Sequence, residues 1–268
     1  LPAFDRGSGP DPAHFALAEE MAAVVREAGA IALAAFGKPL KTWLKDKSSP
    51  VSEADIAVNS FLQKELMALA PAAGWLSEES VDDPARLSAR QVFIVDPIDG
   101  TRAFIAGIPE WTISVALVES GRPVIATVYA PSTEEFFFAV AGAGATRNGT
   151  PVSTTPGAEL AGARIAGPKL ALQRIAAVEP GIVAAARVHS LALRLARVAE
   201  GSLDAAIAGG DSHDWDLAAA DLLVHEAGGA LTTTGGHRPA YNGATTVHGV
   251  LVAAGNARHA RLVALLDA

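Results

Sequence analysis

Cysteine is absent from the 268 residues. That excludes a disulfide scaffold, a thiolate zinc site, an iron–sulfur cluster and a cysteine nucleophile. Positive charge is scarce as well: 21 Lys and Arg stand against 29 Asp and Glu, a formal net charge of -8. Nucleic-acid surfaces need clustered Lys and Arg, so no nucleic-acid partner is expected. If the ligand is an anion, something other than net protein charge must attract it. Long apolar runs are also missing. Val24 to Phe36 is broken by Arg26 and Glu27, and no stretch reaches the roughly 20 residues that span a bilayer. No basic start, apolar run and small-residue cleavage site opens the chain, although a start at Leu1 rather than Met leaves a removed leader open. A soluble, cytoplasmic protein with no membrane partner is the expectation. What the chain does have is apolar bulk. Half of it is hydrophobic and 19% charged, enough for one large domain or two fused halves to fold without cross-links.

The first ten residues, with Gly7, Gly9 and Pro10, read as a loose tail. From His14 to Phe36 apolar residues recur at helical spacing, and Gly37 and Pro39 stop that helix. A second helix fits Ala54 to Ala70. Gln91–Val95 reads as a buried strand. Thr112–Val118, Val124–Tyr129 and Glu135–Val140 follow as an antiparallel meander, with turns at 121–123 and 131–133. Beyond Gly157 the signals are shorter. Strands are expected at Ala163–Ala166, Gly181–Ala184, Leu203–Ile207, Ala230–Thr232 and Val250–Ala253. Helices are expected at Leu170–Val178, Ser190–Glu200, Trp215–Ala227 and Ala257–Leu266, the third ended by Gly228 and Gly229. Helices and sheets in blocks indicate a layered α+β or α/β architecture. A division into residues 1–156 and 157–268, forming one catalytic unit, is expected.

The run from Val95 to Phe104, Val-Asp-Pro-Ile-Asp-Gly-Thr-Arg-Ala-Phe, carries the most chemistry. Asp96 ends a hydrophobic strand, where an unpaired carboxylate is costly to desolvate. Pro97 holds it extended, so Asp96 and Asp99 can converge as the chain turns. Gly100 allows close backbone approach, and Thr101 can begin a short helix whose N–H groups face an anion. An ordinary Asp-Pro-Gly turn is the alternative, but it leaves Asp96 without a partner. Other acids are weaker taken singly. Glu78 and Glu79 close the run Trp75-Leu76-Ser77 and read equally as solvated carboxylates. Asp55, three residues after Ser52, resembles a capping box. Asp216, after Trp215, suits a helix N-terminus.

Together these residues resemble the inositol monophosphatase superfamily: Asp96-Pro97-Ile98-Asp99-Gly100-Thr101, Glu78-Glu79, and Trp215-Asp216 with its Ala-rich helix and Gly228-Gly229. The resemblance runs from about Phe15 to the C-terminus. It implies a layered αβαβα sugar-phosphatase fold, with an antiparallel N-terminal sheet and a smaller mixed C-terminal one. It also implies lithium-sensitive hydrolysis of phosphate monoesters with two or three Mg2+ ions. By this resemblance Glu78, Asp96 and the Ile98 carbonyl hold one ion, and Asp96, Asp99 and Asp216 the second. Thr101, bonded to Asp55, orients and helps deprotonate the attacking water, so that Asp55, Thr101 and Glu78 form the catalytic group. The N–H groups of Gly100 and Thr101 hold the phosphate, and Glu79 stands behind the ligands. The chemistry is consistent. Mg2+ prefers oxygen donors, and bound metal, not a basic surface, would draw an anion into an acidic protein.

Several features look more like the 3'(2'),5'-bisphosphate nucleotidase branch, which implies adenosine 3',5'-bisphosphate as substrate and AMP as product. Arg102 follows Thr101 where that branch has a basic residue. The segment Glu110-Trp111-Thr112 is similar to it, as is Val128-Tyr129-Ala130-Pro131. So is Ser190 to Gly201, with Arg194 in place of a lysine. Arg102, Ser190 and Arg194 are therefore expected on the substrate side, the arginines as forks for a second phosphate. There are departures. Gly209 stands where the inositol branch carries an acid, with Asp211 and Asp214 nearby, and Ser190 stands where the nucleotidase branch has glycine. His213 reads as a polar loop residue. Inositol 1-phosphate and then histidinol phosphate are the alternative substrates. A transcription- or ribosome-associated binding role is the alternative class. A homodimer is left open by the family.

Overall fold

The helical stripe read from His14 forms α1, Pro12–Ala35, in the computed structural model, which describes residues 11–45 and 50–266. The tail lies outside those residues. Asp11 caps α1, its carboxylate accepting the Ala13 N–H at 2.9 Å, and Pro12 begins the helix where no N–H is needed. A hairpin of β1 (Thr42–Leu44) and β2 (Pro50–Ser52) leads into α2, Glu53–Leu69. Next come β3 (Gly74–Ser77), β4 (Gln91–Asp99) and a one-turn α3 (Thr101–Ile105). The meander follows as β5 (Thr112–Glu119), β6 (Arg122–Ala130) and β7 (Glu135–Val140), extended by β8 (Ala145–Arg147) and β9 (Thr150–Pro151). The remainder is β10 (Arg164–Ala166), α4 (Lys169–Val178), β11 (Val183–Ala184), α5 (Leu191–Ala199), β12 (Ala205–Ala208) and β13 (Ser212–His213). It ends with α6 (Asp214–Glu226), β14 (Gly229–Thr233), β15 (Val247–His248), β16 (Leu251–Gly255) and α7 (Asn256–Leu266).

Strands β3 to β9 form a seven-stranded sheet in sequence order, and a five-stranded sheet runs β11-β10-β12-β16-β14. Alternation along β4 explains the layers. Phe93 and Val95 face α1 and α2 in one cluster with Val25, Val58, Leu62 and Leu66. Val92 and Ile94 face the opposite way, into a cluster with Leu195, Leu217 and Leu223 of α5 and α6. That second cluster continues into Ala206, Ala208, Leu251 and Ala253, one face of the five-stranded sheet. The other face of that sheet, Ala205, Ile207, Val252 and Ala254, packs on Ile175 of α4 and Leu262 of α7. The order is helix pair, sheet, helix pair, sheet, helix pair: the αβαβα layering expected. No helix among the described residues is long and apolar enough to cross a membrane.

Some elements differ from expectation. The N-terminal sheet is not wholly antiparallel, because β3 pairs parallel to β4. Strand β4 does not stop at Val95 but continues to Asp99. Pro97 is tolerated because the register with β5 shifts between Asp96 and Asp99, so its missing N–H falls in a bulge. The turn before β6 lies at Ser120 and Gly121, both with positive φ (49° and 75°), and Arg122 already belongs to the strand. Gly228 alone takes the left-handed stop after α6, at φ 84°, while Gly229 opens β14.

Candidate active site

The β4 bulge assembles the centre of the site. In a regular strand, residues three apart point to opposite faces. Here Asp96 pairs with Ser114 and Asp99 with Thr112, so three steps on β4 match two on β5. The extra residue restores the parity and puts both carboxylates on one side. Asp216, third residue of α6, joins them: one oxygen from each of Asp96, Asp99 and Asp216 lies within 4.8 Å of the others. Asp216 is fixed by a capping box, its Oδ2 accepting the His213 N–H at 2.6 Å. The start of α6 is tied to β5 by the Ser114 hydroxyl, which donates to the Trp215 carbonyl at 3.3 Å.

Asp96 and Asp99 are buried and Asp216 half-buried. Burial drives the Asp96 carboxyl well above the usual range, and Glu78, Asp99, Asp216 and Asp55 push the same way. Asp216 is likewise raised well above it, by burial first and by Asp99 next. Asp99 is raised by burial against opposing hydrogen bonds from Ser190 and the start of α5. Such crowding is costly for ionised carboxylates without a cation. A set made only of oxygen donors fits a hard divalent ion.

Glu78 and Glu79 leave the end of β3 beside this cluster, where the Glu78 N–H bonds the Val95 carbonyl at 3.2 Å. The Glu78 side chain meets Lys45, whose ammonium donates to its Oε1 at 3.0 Å and to its backbone carbonyl at 3.3 Å. Lys45 also forms an ion pair with the nearly inaccessible Glu79. Burial raises Glu79 to about 7 even so. For Lys45 itself burial works downward, but the two glutamates outweigh it and its pKa is raised.

Asp55 makes the contacts of the helix cap and also reaches Thr101. Its Oδ2 accepts the Ser52 N–H at 2.8 Å and the Ser52 hydroxyl at 2.6 Å, completing the cap of α2. Its Oδ1 accepts from Thr101 Oγ1 at 3.1 Å. The Thr101 hydroxyl is also 3.0 Å from the Ile98 carbonyl, so its single proton has two competing acceptors. Burial raises the Asp55 pKa, with the Ser52 and Thr101 hydrogen bonds opposing it. Gly100 precedes α3 at φ 95°, and a Cβ there would lie 3.1 Å from the Glu110 carbonyl and 3.4 Å from the Ser190 nitrogen.

The residues expected on the substrate side separate. Arg102 is exposed on α3. Arg194, on α5, donates to the Val188 carbonyl at 2.8 Å and lines a cavity of about 630 Å³ with Lys169, Gln173, Ile182 and Arg187. Burial pulls its pKa down, Asp99 opposes that, and Arg187 adds to it. Ser190 has no exposed surface. Its hydroxyl is engaged with Asp99 Oδ2 at 2.6 Å, with the Leu193 N–H at 2.9 Å and with Thr112 Oγ1 at 2.9 Å. It stands behind a carboxylate rather than in an open pocket, because it caps α5.

Asp214 is fully buried and accepts from His248 Nε2 at 2.6 Å and the Asn242 N–H at 2.8 Å, so it does not replace the acid missing at Gly209. His213, read as a loop residue, caps α6 and stacks on Trp215 with ring centroids 4.4 Å apart. Lys45 and Thr112 were not singled out from sequence. A lone lysine ten residues before Asp55 carries no periodic signal, and Thr112 reads as an ordinary strand residue.

Residues 15–268 match the Inositol monophosphatase family. The chain is 35% identical to the inositol-1-monophosphatase of Rhizobium meliloti over 239 residues, covering 85% of this chain and 89% of that one. It is 28% identical to the 3'(2'),5'-bisphosphate nucleotidase CysQ of Aggregatibacter actinomycetemcomitans over 232 residues, covering 80% and 83%. Among solved structures, the extragenic suppressor protein SuhB of Bartonella henselae superposes with a TM-score of 0.85 at 30% identity, covering 94% of this chain and 98% of that one.

Proposed function

Since the chain belongs to the inositol monophosphatase family and is a phosphoric monoester hydrolase, we propose that it removes the 3'-phosphate of adenosine 3',5'-bisphosphate, releasing AMP. Enzymes of this family use metal ions, typically Mg2+, and the acidic cluster could bind metal. The observation that carries the reading is the convergence of Asp96, Asp99 and Asp216 to within 4.8 Å. Glu78, Asp96 and the Ile98 carbonyl would hold one Mg2+, and Asp96, Asp99 and Asp216 a second. When bound, the ions supply charge neutralisation for the phosphoryl group and its attacking and departing oxygens.

The protein's own groups do the rest. Thr101 Oγ1 has Asp55 Oδ1 and the Ile98 carbonyl within reach, and with that carbonyl serving as a ligand its proton would go to Asp55 Oδ1. That turns a lone pair of Thr101 Oγ1 outward to accept a proton from the attacking water. Asp55, held on its other oxygen by Ser52 and made more basic by burial, takes up the displaced proton. The N–H groups of Gly100 and Thr101 would hold the phosphate oxygens. Glu79, paired with Lys45, supports the Glu78 end.

The cavity bounded by Arg187, Arg194 and Lys169 supports a substrate with a second anionic group. Arg187 lies close enough to disfavour the charge of Arg194, and a phosphate between the two guanidiniums would relieve this. Arg102, exposed on α3, is not among the residues that line this cavity. Inositol 1-phosphate is the competing substrate, favoured by the 35% identity to the Rhizobium enzyme, while Gly209 leaves its sugar hydroxyls without an acidic partner.

A phosphate-release panel of adenosine 3',5'-bisphosphate, inositol 1-phosphate and histidinol phosphate tests the reading. The expected outcome is Mg2+-dependent, Li+-inhibited release, at least about tenfold faster on the bisphosphate. Asp96→Asn should cost about 10^3-fold or more, the loss of several kcal/mol of charge stabilisation. A preference for inositol 1-phosphate would reverse the substrate assignment. Full activity in a folded Asp96→Asn protein would remove the mechanism.

A further inference from the structure

Resting on that reading of the carboxylates as ligands, we propose that Ser190, with Thr112 behind it, is a positioning residue that orients Asp99 for metal binding and selects which of its oxygens faces the ion. The argument is one of proton accounting. Ser190 Oγ carries one hydrogen and has three polar neighbours: Asp99 Oδ2 at 2.6 Å, the Leu193 N–H at 2.9 Å and Thr112 Oγ1 at 2.9 Å. The Leu193 N–H can only donate, and an ionised Asp99 can only accept. The Ser190 proton therefore goes to Asp99, which leaves Thr112 as the donor to Ser190. The hydroxyl is then saturated, with one bond donated and two accepted.

A second donor reaches the same carboxylate oxygen: the Ala192 N–H lies 2.6 Å from Asp99 Oδ2. Both fix Oδ2 from the α5 side, and on this proposal Oδ1 is the oxygen left for the ion shared with Asp96 and Asp216. All five residues are buried, so water does not substitute for a lost donor. Glycine or alanine at 190 would keep the Ala192 bond but lose both the cap on the Leu193 N–H and the Thr112–Ser190–Asp99 relay. Partners that orient a ligating carboxylate typically account for 10–100-fold in metal affinity.

The test is calorimetric titration of Mg2+ into the purified full chain and its variants, with no substrate present. Ser190→Ala should weaken Mg2+ binding about tenfold, and Ser190→Thr, which keeps the hydroxyl, should restore most of it. Thr112→Val removes the outer donor without touching the α5 cap, and should weaken binding by about threefold. It also keeps the proposal testable if Ser190→Ala does not fold. Loss of a helix cap would lower stability alone, so the decisive comparison is a double-mutant cycle. In an Asp99→Asn background, Ser190→Ala should cause no further loss of Mg2+ affinity. Equal Mg2+ affinity of wild type, Ser190→Ala and Thr112→Val overturns the proposal. So does an undiminished Ser190→Ala effect in the Asp99→Asn background. Failure of wild type itself to bind Mg2+ overturns the prior reading of the site instead.

Discussion

An acid held above its unfolded pKa stabilises the folded chain only while it is protonated. Glu79 is raised from 4.5 to about 7, chiefly by burial, and burial lifts Asp96 and Asp216 in the same direction. Between pH 4.5 and 7 the native state therefore binds more protons than the unfolded one, and stability falls as pH rises. Scanning calorimetry in a chelator should show Tm dropping by about 5 °C from pH 5 to pH 7.5, a loss of roughly 2 kcal/mol at this chain length. Saturating Mg2+ should flatten or invert that slope, since a bound cation favours the ionised carboxylates. An unchanged slope with Mg2+ would count against the acids as ligands. At this scale the sequence was informative where chemistry violates its surroundings. Asp96 at the end of Phe93-Ile94-Val95 is conspicuous because burying a lone carboxylate is costly. Lys45 and Thr112 were silent because each is ordinary for its neighbourhood and acquires its role only from what folds against it.

Among the elements, long helices with a continuous apolar stripe were legible to within a few residues. Leu62 and Leu66 recur at the helical period and both end fully buried on α1 and β4, joined there by Val58, which the reading had not included. Leu62→Ala should therefore cost about 2–5 kcal/mol in denaturant melts and loosen α2, whose first turn carries Asp55. A cost under 1 kcal/mol would mean that the helix pair contributes little to holding that acid. Of the two- and three-residue strands, β10 and β11 were expected and six others escaped the reading. The pairs β1–β2, β8–β9 and β13–β15 exist because a partner is delivered to them, and three residues carry no period of their own. The β4 bulge was equally invisible: Pro97 predicted an extended Asp96, but the slip against β5 that aligns Asp96 with Asp99 is a property of the pair.

Across the whole molecule, alternating blocks indicated a layered architecture and the family resemblance implied its order, but neither disclosed the polar ties between layers. Glu135 at the start of β7 is nearly inaccessible and takes both arginine nitrogens of Arg197 from α5, at 2.5 and 2.6 Å, as well as Arg147 at 2.7 Å. Burial works to raise its pKa, but the Arg197 bonds prevail and it is lowered. Replacing Glu135 with Ala takes one of two carboxylates from Arg197 and Arg147, which keep Glu200 at 2.6 and 2.8 Å. It should cost about 2–3 kcal/mol in equilibrium unfolding, less than a fully buried pair because Arg197 keeps some water. A loss within 0.5 kcal/mol, the usual scatter of surface substitutions, would reduce this cluster to decoration. The carboxylate centre makes the same connection with opposite logic. Asp96 and Asp99 belong to the seven-stranded sheet, whereas Asp216 rides on α6, the helix layer wedged between that sheet and the five-stranded one. An ion gripped by all three would act as a rivet through the stack, so that emptying the centre and letting the two sheets slide become a single event.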